Sequence, residues 1–251
     1  MGAAVALVMA GGKGERMLAS GISTPKPLVP VAGTPLLEHN VRLLLLWGLT
    51  TVTVSLSSPD RPVADYCRSR LLPVVRTTGG TLELLVEETP MGNIGSAGLL
   101  ADRGADVVVV FADNLTTLDL RQLVVHHRAE AADLTLACHE HGFRIPYGRV
   151  EVEGTRVTGY SEKPVVPVRV ASAVSVLGAR ALATLASWPT GRPAGLVDLT
   201  RSLIADDRHV AAYHHDADWI DVNDAGGIGG ATELVRRHPR LFPRESGGGI
   251  V

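Results

Sequence analysis

Apolar residues along this chain fall into short unbroken blocks, separated by stretches where they recur at the three-to-four-residue spacing of a helix face. The blocks cover residues 4–9, 51–56, 82–87, 107–111 and 134–138. Those at 4–9 and 107–111 are continuously hydrophobic instead of alternating, the pattern of strands buried on both faces. The stretches at 35–47, 60–72, 92–101 and 118–131 carry helical spacing. Strand and helix in alternation predict an α/β fold: a Rossmann-like, mostly parallel mixed sheet flanked by helices.

The rhythm changes after about residue 140. Residues 149–152 and 156–160 flank Glu153-Gly154-Thr155, a hairpin signal. A further strand is expected at 168–177, helices at 178–187 and 197–206, strand character within 213–222, and a closing helix at 227–238. The reading is a single domain over 1–244, with one half at about 1–140 and a hairpin-bearing half at about 141–244. Residues 245–251, rich in glycine, are expected to form a flexible tail.

The 251 residues are 45% hydrophobic, enough for one large core, and the net charge of −2 carries no signature of a nucleic-acid partner. Two cysteines, neither in a CxxC, fit reduced thiols. No apolar run is as long as the roughly 18 residues of a membrane span, and the first block lacks the basic flank of a signal peptide. The expectation is a cytoplasmic protein with no membrane partner.

The first apolar block empties into Ala10-Gly11-Gly12-Lys13-Gly14-Glu15-Arg16-Met17. A loop after the first buried strand sits at the carboxyl end of the sheet, where open α/β folds bind ligands. Gly11, Gly12 and Gly14 let the backbone approach closely and turn amides toward phosphate oxygens. Arg16 and Lys26 add positive charge to the same excursion. Spacing excludes both a P-loop and the dinucleotide fingerprint, because neither the Gly-Lys-Ser/Thr ending nor the third glycine is present.

That segment continues into Thr24-Pro-Lys-Pro-Leu-Val-Pro-Val-Ala-Gly-Thr-Pro-Leu-Leu-Glu-His39. In order follow Pro90-Met-Gly-Asn-Ile-Gly95, Val110-Phe-Ala-Asp-Asn114, Pro146-Tyr-Gly148, Glu162-Lys-Pro164 and Trp219-Ile-Asp-Val222. Together these motifs resemble the sugar-1-phosphate nucleotidyltransferases, closest in feel to short mannose- or heptose-1-phosphate guanylyltransferases. The resemblance implies transfer of a nucleotidyl group from an NTP to a sugar 1-phosphate, with Mg²⁺ as cofactor, and leaves room for a homodimer.

Roles follow from the resemblance. Ala10, Gly11, Gly12, Gly14, Glu87 and Gly92 would bind the nucleotide. Arg16 would stabilise the leaving pyrophosphate, Lys26 the α-phosphate and Lys163 the incoming sugar phosphate. Asp113 and Asp221, each following an apolar run, would hold the metal, although either could instead cap a turn or helix. Gly148 and Glu162 would contact sugar hydroxyls. The family's Asn-Ala-Gly stretch is replaced by Ala171-Ser172-Ala173, which puts an ordinary hexose in doubt and points to a modified or larger sugar. A carboxylate at Glu87 suits the two adjacent donors of guanine and favours GTP. UTP or dTTP use, or an inactive nucleotide-sugar-binding relative, are the competing readings. His139-Glu140-His141 and His214-His215-Asp216 are read as exposed loop residues, for lack of a third metal ligand at convincing spacing.

Overall fold

Val5–Met9 (β1) runs through the middle of a seven-stranded sheet. In a computed structural model, residues 4–11, 24–57, 61–189 and 191–242 are described. The other strands are Pro30–Val31 (β2), Thr34–Pro35 (β3), Thr51–Ser57 (β4), Thr81–Glu87 (β5), Val107–Phe111 (β6), Asn114–Thr116 (β7), Leu134–Arg144 (β8), Arg149–Glu153 (β9), Arg156–Ser161 (β10), Val165–Leu177 (β11), Val210–His214 (β12) and Trp219–Asp221 (β13). The large sheet has the order β12-β8-β11-β6-β1-β4-β5. Within it β11 alone opposes its neighbours, pairing antiparallel with both β6 and β8. The expected mixed, mainly parallel sheet is therefore present, and β11 and β12 from the second half flank β8 and continue it without a break.

The continuous apolar blocks feed two cores. Ala6 and Val8 of β1, with Val108 and Val110 of β6, face a cluster containing Leu37, Leu44, Val54 and Val63. Leu7 and Met9, with Val107 and Val109, face Ile94, Leu182, Leu185 and Leu199 on the other side. This period of two through strands buried on both faces is why no polar residue interrupts them. Full burial of one such leucine is worth about 1.5–3 kcal/mol.

Helix Leu36–Leu46 buries polar groups as well as leucines, and each has a partner. Glu38 accepts from Arg42 and from the Tyr66 hydroxyl. His39 Nε2 lies 2.9 Å from the Val31 carbonyl oxygen. Asn40 Nδ2 donates to the carbonyl oxygen of Asn114 at 3.0 Å, which ties this helix to β7. A third cluster, including Val29, Val31, Leu115, Val222 and Phe242, packs the short β7–β13 ribbon against the closing helix Ala225–Arg237.

Several bounds differ from the sequence expectation. The second predicted helix runs on from Arg61–Tyr66 through a π-turn, Cys67–Leu71, into Leu72–Thr77. Pro73 cannot donate a backbone hydrogen bond, and the widened turn accommodates that loss. The segment expected as a helix at 92–101 is a 3₁₀ helix, Gly95–Arg103. Its Gly98 packs so closely on Leu185 and Ala186 that a Cβ would come within 3.1 Å of their backbone. Strands β8 and β11 extend far beyond the apolar blocks that predicted them, through His139-Glu-His-Gly and Val165–Val168, and pair with each other there. The hairpin β9–β10 forms as expected, as a separate exposed ribbon.

Candidate active site

Two adjoining cavities open at the carboxyl ends of β1 and β6. The smaller, about 210 Å³, is lined by Met9, Ala10, Gly11, Lys26, Pro27, Asn93, Phe111, Ala112 and Asp113. The larger, about 540 Å³, shares Asn93, Phe111 and Asp113 with it and adds Asp221, Trp219, Asn114, Thr200 and Arg201 among its walls. Asp113 thus stands on the seam between them.

Local structure explains this convergence. Asp113 follows the last residue pair of β6, where Ala112 still donates to the Met9 carbonyl. The chain then turns at once into β7, which pairs antiparallel with β13 so that Asn114 faces Asp221. The Val222 amide donates to the Asp113 carbonyl at 2.9 Å, closing the end of the ribbon. Two carboxylates more than one hundred residues apart in sequence are thereby brought to one cavity wall.

A polar chain links them. Lys26, on the 3₁₀ turn Lys26–Leu28, places Nζ 2.8 Å from Asp113 Oδ2 and 2.5 Å from Asn223 Oδ1. Asn223 Nδ2 in turn donates to Asp221. Asp113 Oδ1 accepts from Asn114 Nδ2 at 2.7 Å. Asn223 bridges both halves of the site through its fixed amide orientation, and sequence reading passed over it. Its position directly after the Trp219-Ile-Asp-Val222 motif is the only signal it carries. Asn93 was missed as well; it lines both cavities, and its Oδ1 accepts from the Leu196 amide at 2.9 Å.

Gly11 lines the smaller cavity where a Cβ would lie 2.7 Å from Ser57 Oγ and 2.9 Å from Ser57 N, so only glycine fits. Gly92, at φ +87°, presses on the Ala194 backbone, leaving 2.4 Å for any Cβ. It shapes the loop that presents Asn93 and does not line either cavity. Gly12, Gly14 and Arg16 lie outside the described residues.

Glu87 departs from its expected role. It is 6% exposed and absent from both cavity walls. Oε1 accepts from Ser55 Oγ at 2.8 Å, and Oε2 accepts from the Met91 amide at 3.0 Å. Both oxygens hold the 87–91 turn against β4. Lys163, at φ +45°, and Glu162 are exposed at the corner between β10 and β11, and neither lines either of these two cavities. Glu162 accepts from the Tyr160 hydroxyl at 2.8 Å, and Gly148 lies against that same hydroxyl. Glu162 and Gly148 thus both meet Tyr160.

The histidines were expected in exposed loops, and that is corrected here. His139 and His141 belong to β8, and His139 and His215 are partly buried in one hydrogen-bond network through Ser172. Long strand pairing of β8 with β11 draws the polar His-Glu-His segment into the sheet. Among the described residues no group of three or more His, Cys, Asp or Glu side chains is placed to hold a metal ion. The pair Asp113 and Asp221 does supply hard oxygen donors at one wall. Two carboxylates suit a cation such as Mg²⁺ that keeps several waters and takes its remaining ligands from substrate phosphates.

The family profile described as nucleotidyl transferase matches residues 5–228 of this chain. The chain belongs to that family. The chain is 33% identical over 162 residues to the mannose-1-phosphate guanylyltransferase of Mycobacterium tuberculosis, covering 63% of this chain and 44% of the relative. It is 27% identical over 160 residues to the D-glycero-alpha-D-manno-heptose 1-phosphate guanylyltransferase of Aneurinibacillus thermoaerophilus, covering 63% of this chain and 67% of that protein. The chain spans about half to two thirds of the length of the curated relatives it matches. Its fold is that of the UDP-glucose pyrophosphorylase from Acinetobacter baumannii, with a TM-score of 0.71 at 18% identity over 96% of each chain. No helix among the described residues is long and apolar enough to cross a membrane.

Proposed function

We propose that this protein transfers a nucleotidyl group from an NTP, with GTP preferred, to a sugar 1-phosphate, releasing pyrophosphate. The observation that carries this reading is Asp113 on the seam of two adjoining cavities, with Lys26 on the smaller and Asp221 on the larger. Such a reaction joins two anions, so its catalysis is mostly alignment and charge neutralisation.

In this reading the smaller cavity, beside Ala10 and Gly11, takes the nucleotide, and the larger takes the sugar. Lys26 sits where charge builds on the α-phosphate as the sugar phosphate attacks and pyrophosphate leaves. Its pairing with Asp113 keeps the ammonium extended into the site before substrate arrives. Asp113 and Asp221 would hold Mg²⁺, which when bound neutralises phosphate charge. Asn223 holds Lys26 and Asp221 in register. Arg16, Gly12 and Gly14 are assigned to the pyrophosphate, and Lys163, Glu162 and Gly148 to the sugar phosphate; the resemblance of their motifs supports these roles. For Lys163 and Glu162 this requires the exposed corner to fold over the larger cavity.

The guanylyl names of the curated relatives support GTP. Glu87 supports it only indirectly: its carboxylate braces the turn, and the main chain of 87–91 is left to read the base. The 540 Å³ cavity and the small side chains Ala171 and Ala173 on its wall suit a sugar larger than a hexose. Retention of Lys26, Asp113 and Asp221 weighs against an inactive relative. Pyrophosphate release measured across GTP, UTP, CTP, ATP and dTTP with hexose and heptose 1-phosphates tests the proposal. Release with GTP and a heptose 1-phosphate is expected, ahead of any hexose 1-phosphate, and no release with any pair would overturn it.

A further inference from the structure

Ser172 is fully buried, yet its single hydroxyl meets two imidazoles. Its Oγ is 2.8 Å from His139 Nδ1, on β8, and 2.8 Å from His215 Nε2, just past β12. The Ala217 amide donates to His215 Nδ1 at 3.2 Å. That last contact decides the direction of all the others. A nitrogen accepting from an amide carries no proton, so neutral His215 holds its proton on Nε2 and donates to Ser172 Oγ. The Ser172 hydrogen then goes to His139 Nδ1, and neutral His139 carries its own proton on Nε2.

The far end of this chain touches the larger cavity. The His139 ring packs on Trp219, with centroids 5.2 Å apart and planes at 39°. Trp219 lines the cavity, as do Ala171 and Ala173 on either side of Ser172. The register of β11 on β8 shifts between Ala171 and Ser175, and Ala173 takes φ +52°. This bulge turns the two alanines to the cavity and leaves Ser172 behind the wall. The near end holds the 215–218 segment that leads into β13, which carries Trp219 and Asp221.

We propose that His215, Ser172 and His139 form a one-directional hydrogen-bond relay that positions Trp219 as a wall of the sugar-binding cavity. The proposal rests on reading that cavity as the sugar site. All three are positioning residues, acting through Trp219.

Protonation opposes the relay at both ends. A proton on His215 Nδ1 would face the Ala217 N–H. A proton on His139 Nδ1 would make Ser172 Oγ accept twice and strand its own hydrogen in a buried site, an unpaired group. The surroundings agree. Burial first, and then the neighbouring His141, hold His139 below the usual histidine range. Burial and then His139 do the same for His215, while Asp216 opposes the shift and His214 adds to it. The other charged groups flanking this region are Glu140 on β8 and Arg169, paired opposite it on β11.

Imidazolium quenches indole fluorescence, which gives a readout independent of turnover. Tryptophan emission is titrated from pH 8 to 5 in wild type, Ser172→Ala, Ser172→Thr and Trp219→Phe. A quench with its midpoint below about 6.5 is expected in wild type, absent in Trp219→Phe, shifted upward in Ser172→Ala and restored in Ser172→Thr. Ser172→Ala should also raise KM for the sugar 1-phosphate several-fold with KM for the nucleotide unchanged. Imidazole ¹⁵N shifts of the wild-type protein, assigned with His139→Gln and His215→Gln, check the relay without any need for Ser172→Ala to fold. Both rings should be Nε2–H tautomers at pH 8. An Nδ1–H tautomer at either ring, or an identical quench midpoint in wild type and Ser172→Ala, overturns the relay. An intact relay in a protein that releases no pyrophosphate would overturn the functional reading alone.

Discussion

Lys26 Nζ and Asp113 Oδ2 lie 2.8 Å apart across 87 residues of sequence, the lysine mostly shielded from water and the aspartate about one third open to it. Each holds the other in the site. Removing one partner of such a pair leaves a poorly solvated charge, so its effect exceeds the loss of one contact.

Lys26→Met is expected to lower kcat by about 10²–10³, with a smaller change in nucleotide KM. The ammonium is assigned to charge that grows as the bond to pyrophosphate breaks, which makes it a transition-state contact. Steady-state kinetics with saturating sugar phosphate check this. A mutant with wild-type kcat and only a raised KM would assign Lys26 to ground-state binding.

Asp113→Asn and Asp221→Asn should each cost at least about 100-fold in kcat and raise the Mg²⁺ concentration needed for half-maximal rate. The motivation is their convergence at the end of the β7–β13 ribbon. Asn223→Ala should raise the Mg²⁺ requirement in the same direction but less, because it acts through Asp221 and Lys26. Magnesium titrations of the three variants rank them, and an unchanged Asp221→Asn would remove that residue from the metal site.

Glu87→Gln is expected to raise KM for every nucleotide by a similar factor and to leave base preference alone. A glutamine has one acceptor oxygen where the carboxylate has two, so it can keep the Met91 N–H or the Ser55 hydroxyl hydrogen satisfied, but not both. The turn loosens without a base contact being lost. A competition assay with GTP and UTP measures this, and a selective loss of GTP would return the carboxylate to base reading.

Folding stability should fall as pH drops from about 7.5 through the unfolded histidine value near 6.5. His39, His127, His139 and His215 are all held below that value, in each case chiefly by burial. Between the unfolded and folded values the unfolded chain binds more protons, so stability rises with pH across this window and levels off below the folded values. Urea midpoints at several pH values read the slope. His39→Gln, which keeps a donor for the Val31 carbonyl, should flatten it.

Ala131→Gly should stabilise the fold. Ala131 closes helix Leu120–Ala129 at φ +46° and is exposed, so its methyl is strained without packing in return. Relief of left-handed strain, about 1–2 kcal/mol, outweighs the added freedom of glycine in the unfolded chain, about 0.4–1 kcal/mol. A rise in Tm of a few degrees is the expected outcome of a thermal melt, and a fall would mean the strain estimate is too high.

Burial on both faces leaves a mark in linear order, and so the strands at the centre of the sheet were legible from the sequence alone: β1 and β6 had to be continuous apolar blocks, and their ends had to deliver Gly11 and Asp113 to one edge. The glycine at 11 was legible for the same local reason, a backbone approach that no side chain permits. Pairings between distant segments leave no such mark. Only the tertiary structure decided that β13 would lie on β7 and set Asp221 beside Asp113, with Asn223 as the bridge to Lys26. It also turned Glu87 inward, because a carboxylate at a strand end reads the same whether it faces a ligand or a serine on the next strand. The polar His-Glu-His segment looked like loop, and pairing with β11 overrode that local composition. The bulge at Ala173, a matter of register between two strands, then chose which side chains met the cavity and which stood behind it.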